Sequence, residues 1–215
     1  MSTTAVNPPT FPASLIIDYP DRKLNRLTSF FRLFVVIPII IVLALMTSGA
    51  VTWGSDIEGW RTGATAGGLL FLPLVLMILF RKKYPKWWFD WNLAFNRFNY
   101  RVSAYLLLLR DEYPSTDEEQ SVHLELTYPD AQKDLGRGWP LIKWFLAIPH
   151  YIVLCFLGIA EFVVLIIAWF AILFTGRYPR GLFDFTVGVM RWGLRVSAYA
   201  ILLITDKYPK FSLEV

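Results

Sequence analysis

The chain has little of what most enzymes and secreted domains depend on. A single cysteine, Cys155, in 215 residues excludes an intramolecular disulfide, and because it lies inside an apolar run it says nothing about redox compartment. Two histidines and that one cysteine, without clustered ligand spacing, exclude a zinc-type site. No phosphate-binding loop is visible, since Gly67-Gly68 sits in an apolar stretch with no Lys-Ser/Thr after it. No nucleophile–base set is visible either, so neither an enzyme nor a cofactor is expected. Charge is also scarce. Only 18% of residues are charged and 55% are hydrophobic, against about a quarter charged in an ordinary soluble domain. The opening residues carry no basic segment followed by an apolar one, so no cleavable signal peptide is expected.

What is present is apolar length. Leu33 to Val51 is free of charge, and Trp139 to Phe174 carries only Lys143, His150 and Glu161. The second run is too long for one helix across a hydrocarbon core of about 30 Å, and its length suits two joined helices. Residues 62–80 supply a further candidate. The pattern therefore predicts four spans at 33–51, 64–80, 140–158 and 161–176, with outer turns at 52–63 and 159–160. A re-entrant hairpin that dips in and returns is the alternative to full spanning. Of the 21 Lys and Arg residues only Arg61 then falls outside, which by the positive-inside rule places both termini in the cytoplasm.

The chain also repeats itself. R-F-N-Y-R-V-S-A-Y at 97–105 returns as R-W-G-L-R-V-S-A-Y at 191–199. Tyr84-Pro85, Asp90, Arg97, Arg101 and Tyr105 reappear 94 residues later as Tyr178-Pro179, Asp184, Arg191, Arg195 and Tyr199. Self-similarity of this length marks two copies of one unit: a tail at 1–13, repeat 1 at 14–115 and repeat 2 at 116–215, forming one membrane domain. Each copy opens on an alternating segment ending in Tyr-Pro, Leu15 to Pro20 and His123 to Pro129, and Phe211 to Val215 alternates likewise. These three pieces predict a small cytoplasmic sheet. Ile37-Pro38 and Ile148-Pro149 predict a re-aimed helix start in each copy. Residues 86–110 and 180–205 predict basic amphipathic helices lying in the interface plane. The fold class is thus an all-α membrane protein of two tandem repeats, each a transmembrane hairpin plus an interfacial helix, with a small sheet.

On each interfacial helix an Asp and two Arg fall on one stripe. Arg97, Arg101, Arg191 and Arg195 are candidate contacts for lipid phosphate or another anion. Asp90 and Asp184 fit structural pairing, because a carboxylate beside a phosphate site would repel the ligand. His150 is a possible intramembrane polar site, although Ile39 occupies the equivalent place in the first copy, and Glu161 is expected at a hairpin tip. Basic residues mixed with aromatics can indicate nucleic acid, but here they edge apolar runs, so membrane anchoring is the simpler reading.

The motifs R-L-T-S-F-F-R-L at 26–33, F-L-A-I-P-H at 145–150, W-F-A-I-L-F-T-G-R-Y-P-R-G-L-F-D-F at 169–185 and R-W-G-L-R-V-S-A-Y at 191–199 resemble the bacterial membrane proteins of the DUF4389 family. The resemblance runs over both copies, from about residue 14. The first departs from it with K-K-Y-P-K-W-W-F-D-W at 82–91 and with Ile39. It implies an integral protein of the bacterial inner membrane and no established activity. The expected function is a non-enzymatic scaffold or accessory subunit that engages anionic lipid, a partner membrane protein or a second copy at the cytoplasmic face. The alternative is a small transporter of lipid or solute with a path between the repeats.

Overall fold

The structure is a computed structural model that describes residues 11–20, 23–47, 74–116, 118–136 and 138–214. The expected outer turn at 52–63 and most of the span at 64–80 lie outside these residues. The elements in order are β1 (Ala13–Ile17), α1 (Arg26–Val35), α2 (Ile37–Thr47), a π-helical turn (Met77–Arg81), α3 (Lys86–Leu106), β2 (Val122–Leu126), α4 (Trp139–Thr175) and α5 (Arg180–Ala200). The chain is mostly helical with a small sheet, as its sequence indicated.

The two strands pair antiparallel with Leu15 opposite Leu124 at the centre of the register. Alternation decides which face is buried. Ala13, Leu15, Ile17, Val122 and Leu124 point inward, while Ile16, His123 and Glu125 face out. Among the described residues the third strand expected at 211–215 does not form, and the sheet has two strands. Outer carbonyls of the sheet are already engaged by arginines, and the tail segment lies instead against α5, as described below.

Both α3 and α5 are 21 residues long, begin directly after a Tyr-Pro and end near a leucine in the left-handed region, Leu108 (φ 63°) and Leu203 (φ 55°). A leucine there costs about 1–2 kcal/mol, and both side chains are buried, which holds the turn. The interfacial placement expected for the second of these helices is corrected. More than half of α5 is buried, with Leu194 and Ala198 in the cluster that includes the inner face of the sheet and Trp192, Val196 and Tyr199 packed with Ala147 of α4. Apolar residues on two sides of its arginine stripe give it two packing partners, so it is an inner layer.

The turn expected at 159–160 is absent. Trp139–Thr175 is one 37-residue helix, about 55 Å long at 1.5 Å per residue. Gly158 is the only turn-favouring residue near its middle, and one glycine costs a helix about 1 kcal/mol relative to alanine, too little to break it. Pro149 also lies within the helix. In the first copy, by contrast, the chain breaks at Val36 between α1 and α2, one residue before Ile37-Pro38. The two helix starts therefore differ.

The long helix α4 is sided in an unusual sense. Lys143, Ala147, His150, Glu161, Ala168 and Ile172 are buried and share one stripe, with Leu154, Leu157 and Leu165 half-buried along it. Its Lys, His and Glu are thus all turned inward. Phe145, Ile148, Ile152, Phe156, Ile159, Val163, Phe170 and Phe174 are exposed on the opposite side. Only 11% of its most apolar window is buried, unlike the core helix of a water-soluble protein. Among the described residues it is the one helix long and apolar enough to cross a membrane.

Candidate functional site

The four arginines singled out by the repeat come to the sheet and the tails. Arg97 Nε donates to the Leu124 carbonyl at 3.0 Å, and Arg191 Nε donates to the Leu15 carbonyl at 2.8 Å. Leu15 and Leu124 are register partners, so each helix grips the strand that belongs to the other sequence copy. Charge-assisted bonds of this kind contribute about 1.5–3 kcal/mol each. They also occupy carbonyls that an exposed sheet edge would otherwise offer to another chain. One helical turn on, Arg101 Nη1 donates to the Ser115 carbonyl at 2.7 Å. Arg195 Nη1 donates to the Glu214 carbonyl at 2.9 Å and its Nη2 to that of Ser212. Burial lowers the pKa of Arg191, with Asp184 opposing, and burial together with neighbouring Arg191 lowers that of Arg195. Both guanidiniums stay charged.

The two aspartates differ from each other. Asp184 lies 3.9 Å from Arg180 in an exposed pair, and Asp90 is exposed with no ion pair among the described residues. The long reach from Asp90 to Arg97, two helical turns, is never bridged.

Crosswise contacts recur at the Tyr-Pro corners. The Tyr19 hydroxyl donates to the Tyr178 carbonyl and the Tyr128 hydroxyl to the Tyr84 carbonyl, both at 2.6 Å. Two buried cations, unremarkable in sequence, complete the set. Arg32 donates to the Tyr105 and Arg110 carbonyls, pairs with Asp111 and lies 4.4 Å over the Tyr105 ring. Lys143 Nζ donates to the Thr205 carbonyl at 2.7 Å, pairs with Asp206 at 2.7 Å and lies 5.2 Å from the Tyr199 ring centre. Each aspartate also accepts a backbone N–H at 2.7 Å, from Asn25 and Gly136 respectively. The signal that could have found them was in the repeat: an Asp stands two residues before the closing Tyr-Pro in both copies.

His150 is fully buried. Its Nδ1 accepts from Trp192 Nε1 at 3.1 Å, its ring stacks on Phe211 with centres 3.9 Å apart, and its Nε2 has no partner. Glu161, expected at a hairpin tip, is instead in mid-helix and buried, with neither oxygen completing a hydrogen bond. The tail that covers His150 also presses Leu213 against Gly188, where a Cβ would lie 2.9 Å from Leu213 Cβ.

Beside the sheet, a cavity of about 400 Å³ is lined by Asp18, Glu112, Glu118, Glu119, Gln120, Ser121 and His123. Burial would raise the Glu112 pKa, but hydrogen bonds from Ser121 and Arg110 outweigh it and bring the carboxyl down to about 2. Among the described residues no group of His, Cys, Asp or Glu is placed to hold a metal ion.

These contacts are structural in chemistry: cations on carbonyls, hydroxyls on carbonyls, and aromatic rings over a buried imidazole. Comparison with curated proteins and with solved structures gives no match. Residues 140–212 match the DUF4389 family, described as a domain of unknown function. The match covers the second copy, where the specific motifs lie, and not the first, whose 82–91 segment departs from them. The similarity to that family is thus confined to residues 140–212.

Proposed function

We propose that this protein is a non-enzymatic integral membrane scaffold or accessory subunit, built from a duplicated unit. The observation that carries the reading is the sidedness of α4, with its Lys, His and Glu turned inward and a full-length stripe of large apolar residues turned out. In water that stripe would be a severe aggregation hazard. In hydrocarbon it is the expected surface, and the inward polar groups avoid it.

The layer order favours a particular placement. The sheet covers α5 and α5 covers α4, so driving α4 straight across a bilayer would drag Arg191, Arg195 and the sheet into it as well. A charge at the centre costs roughly 2.5–3.5 kcal/mol even on the mild insertion scale. We therefore place α4 in the cytoplasmic leaflet with its apolar stripe toward the hydrocarbon. Its excess length, about 55 Å against about 30 Å, then needs no accommodation. Both ends carry exposed cations, Lys133, Lys207 and Lys210 near one and Lys23, Arg26 and Arg177 near the other, and one membrane face serves them all. Crossings, and the multi-pass character, fall to the first copy at 33–51 and 64–80, with both termini cytoplasmic. Anionic headgroups meet the exposed cations, because Arg97, Arg101, Arg191 and Arg195 are committed to backbone carbonyls. The platform of sheet, α3 and α5 is left to face a partner.

The test is sidedness. In a Cys155→Ser background, Lys133→Cys and Arg177→Cys should react with an impermeant maleimide from the same face of inverted vesicles. Labelling from opposite faces would overturn this placement.

A further inference from the structure

We propose that Glu161 is a proton-binding site within the membrane, set beside a pair of hydroxyls. The residue is 91% buried on the inward stripe of α4, and neither carboxyl oxygen completes a hydrogen bond. The Thr186 hydroxyl approaches it from α5, and the Tyr178 hydroxyl lies 3.3 Å from Thr186 Oγ1. Thr186 and Tyr178 are themselves buried. Thr186 reaches Glu161 from α5 and Tyr178 lies near it from the 176–179 connection, and among the described residues no charged group acts on the carboxyl to offset its burial.

An ionised carboxylate held without a cation or a full hydrogen-bond shell in such surroundings costs several kcal/mol, and a proton is the ligand that removes the charge. Thr186 has one hydrogen to give. With Tyr178 donating to Thr186, the Thr186 hydrogen is available to Glu161. Uptake is balanced: hydronium gives a proton to the Glu161 carboxylate, and water and a neutral carboxylic acid remain. Tyr178 suits the role of a hydroxyl that stays protonated, since burial pushes its pKa up to about 12.

The inference rests on the membrane placement of α4 for the dryness of the site, and its test separates the two. Full-length protein in liposomes is examined by infrared difference spectroscopy between pH 6 and pH 10. A protonated-carboxyl C=O stretch should be present at neutral pH, vanish in Glu161→Gln and shift to higher frequency in Thr186→Val, which loses the donor. Dicyclohexylcarbodiimide, which reacts with protonated carboxyls in apolar surroundings to form an N-acylurea, should modify Glu161 and be detected by peptide mass spectrometry. If Glu161→Gln fails to fold, the wild-type pH series and the labelled peptide still decide. A carboxylate signal alone at pH 7, absence of the adduct at Glu161, or protection of Glu161 by sodium at constant pH would each overturn the proton site. If a spin label at Cys155 meanwhile reports lipid, the membrane placement survives that result.

Discussion

Replacing Lys143 with methionine isolates a buried ion pair in the second copy. Methionine keeps most of the side-chain volume and removes the ammonium, leaving the Thr205 carbonyl without its donor and Asp206 without its cation. Breaking a buried pair from one side costs about 3–5 kcal/mol. Asp206 is 22% exposed on its side chain and keeps the Gly136 N–H, so the lower end applies. A loss of about 3 kcal/mol, roughly a hundredfold in the folding equilibrium, is expected for Lys143→Met. Reversible unfolding in mixed detergent micelles measures it. The double variant Lys143→Met/Asp206→Asn should recover most of the loss and retain about 1 kcal/mol from the orphaned carbonyl. Stability of Lys143→Met within 0.5 kcal/mol of the parent, or a double variant as unstable as the sum of the singles, would refute the reasoning.

Exchanging the clamps should act on the opposite sequence copy. Arg191→Met is expected to speed amide hydrogen exchange in Ala13–Ile17 and Arg97→Met in Val122–Leu126; exchange that rises only within each variant's own helix would count against crosswise clamping. Gly188→Ala puts a methyl within 2.9 Å of Leu213 Cβ and 3.0 Å of its carbonyl oxygen, so the tail must lift, at about 1–3 kcal/mol of overpacking, and limited carboxypeptidase digestion of residues 210–214 should accelerate. Glu112, depressed to about 2 in the folded chain from about 4.3 unfolded, contributes stability that is complete above pH 5 and declines as pH falls through 4 toward 2. Glu112→Gln should flatten that decline in an acid unfolding series.

Much of the fold was legible because the repeat carried it. Two alternating segments before Tyr-Pro became the paired strands, and the 21-residue helices after Tyr-Pro became α3 and α5. The misreadings share one cause, which is that local pattern does not name partners. The tail at 211–215 alternates as well as a strand, yet its carbonyls face Arg195. The arginine stripe pointed outward on a helical wheel, but the wheel could not show that another copy's strand lay across it. A 36-residue apolar run invited a hairpin because one bilayer crossing uses fewer residues, whereas the chain has no turn chemistry at 159–160 to make one. Lys143 and Arg32 read as ordinary flanking cations, and only tertiary packing shows each enclosed over a tyrosine ring.

Cys155, the chain's only cysteine, is exposed on the outward part of α4 and offers a direct probe without mutagenesis. A nitroxide attached there, with the protein reconstituted in liposomes, can be power-saturated against oxygen and against a water-soluble nickel chelate. High oxygen and low nickel accessibility is the predicted result, since the stripe beside it faces hydrocarbon. Strong relaxation by the nickel chelate would place that stripe in water and contradict the account.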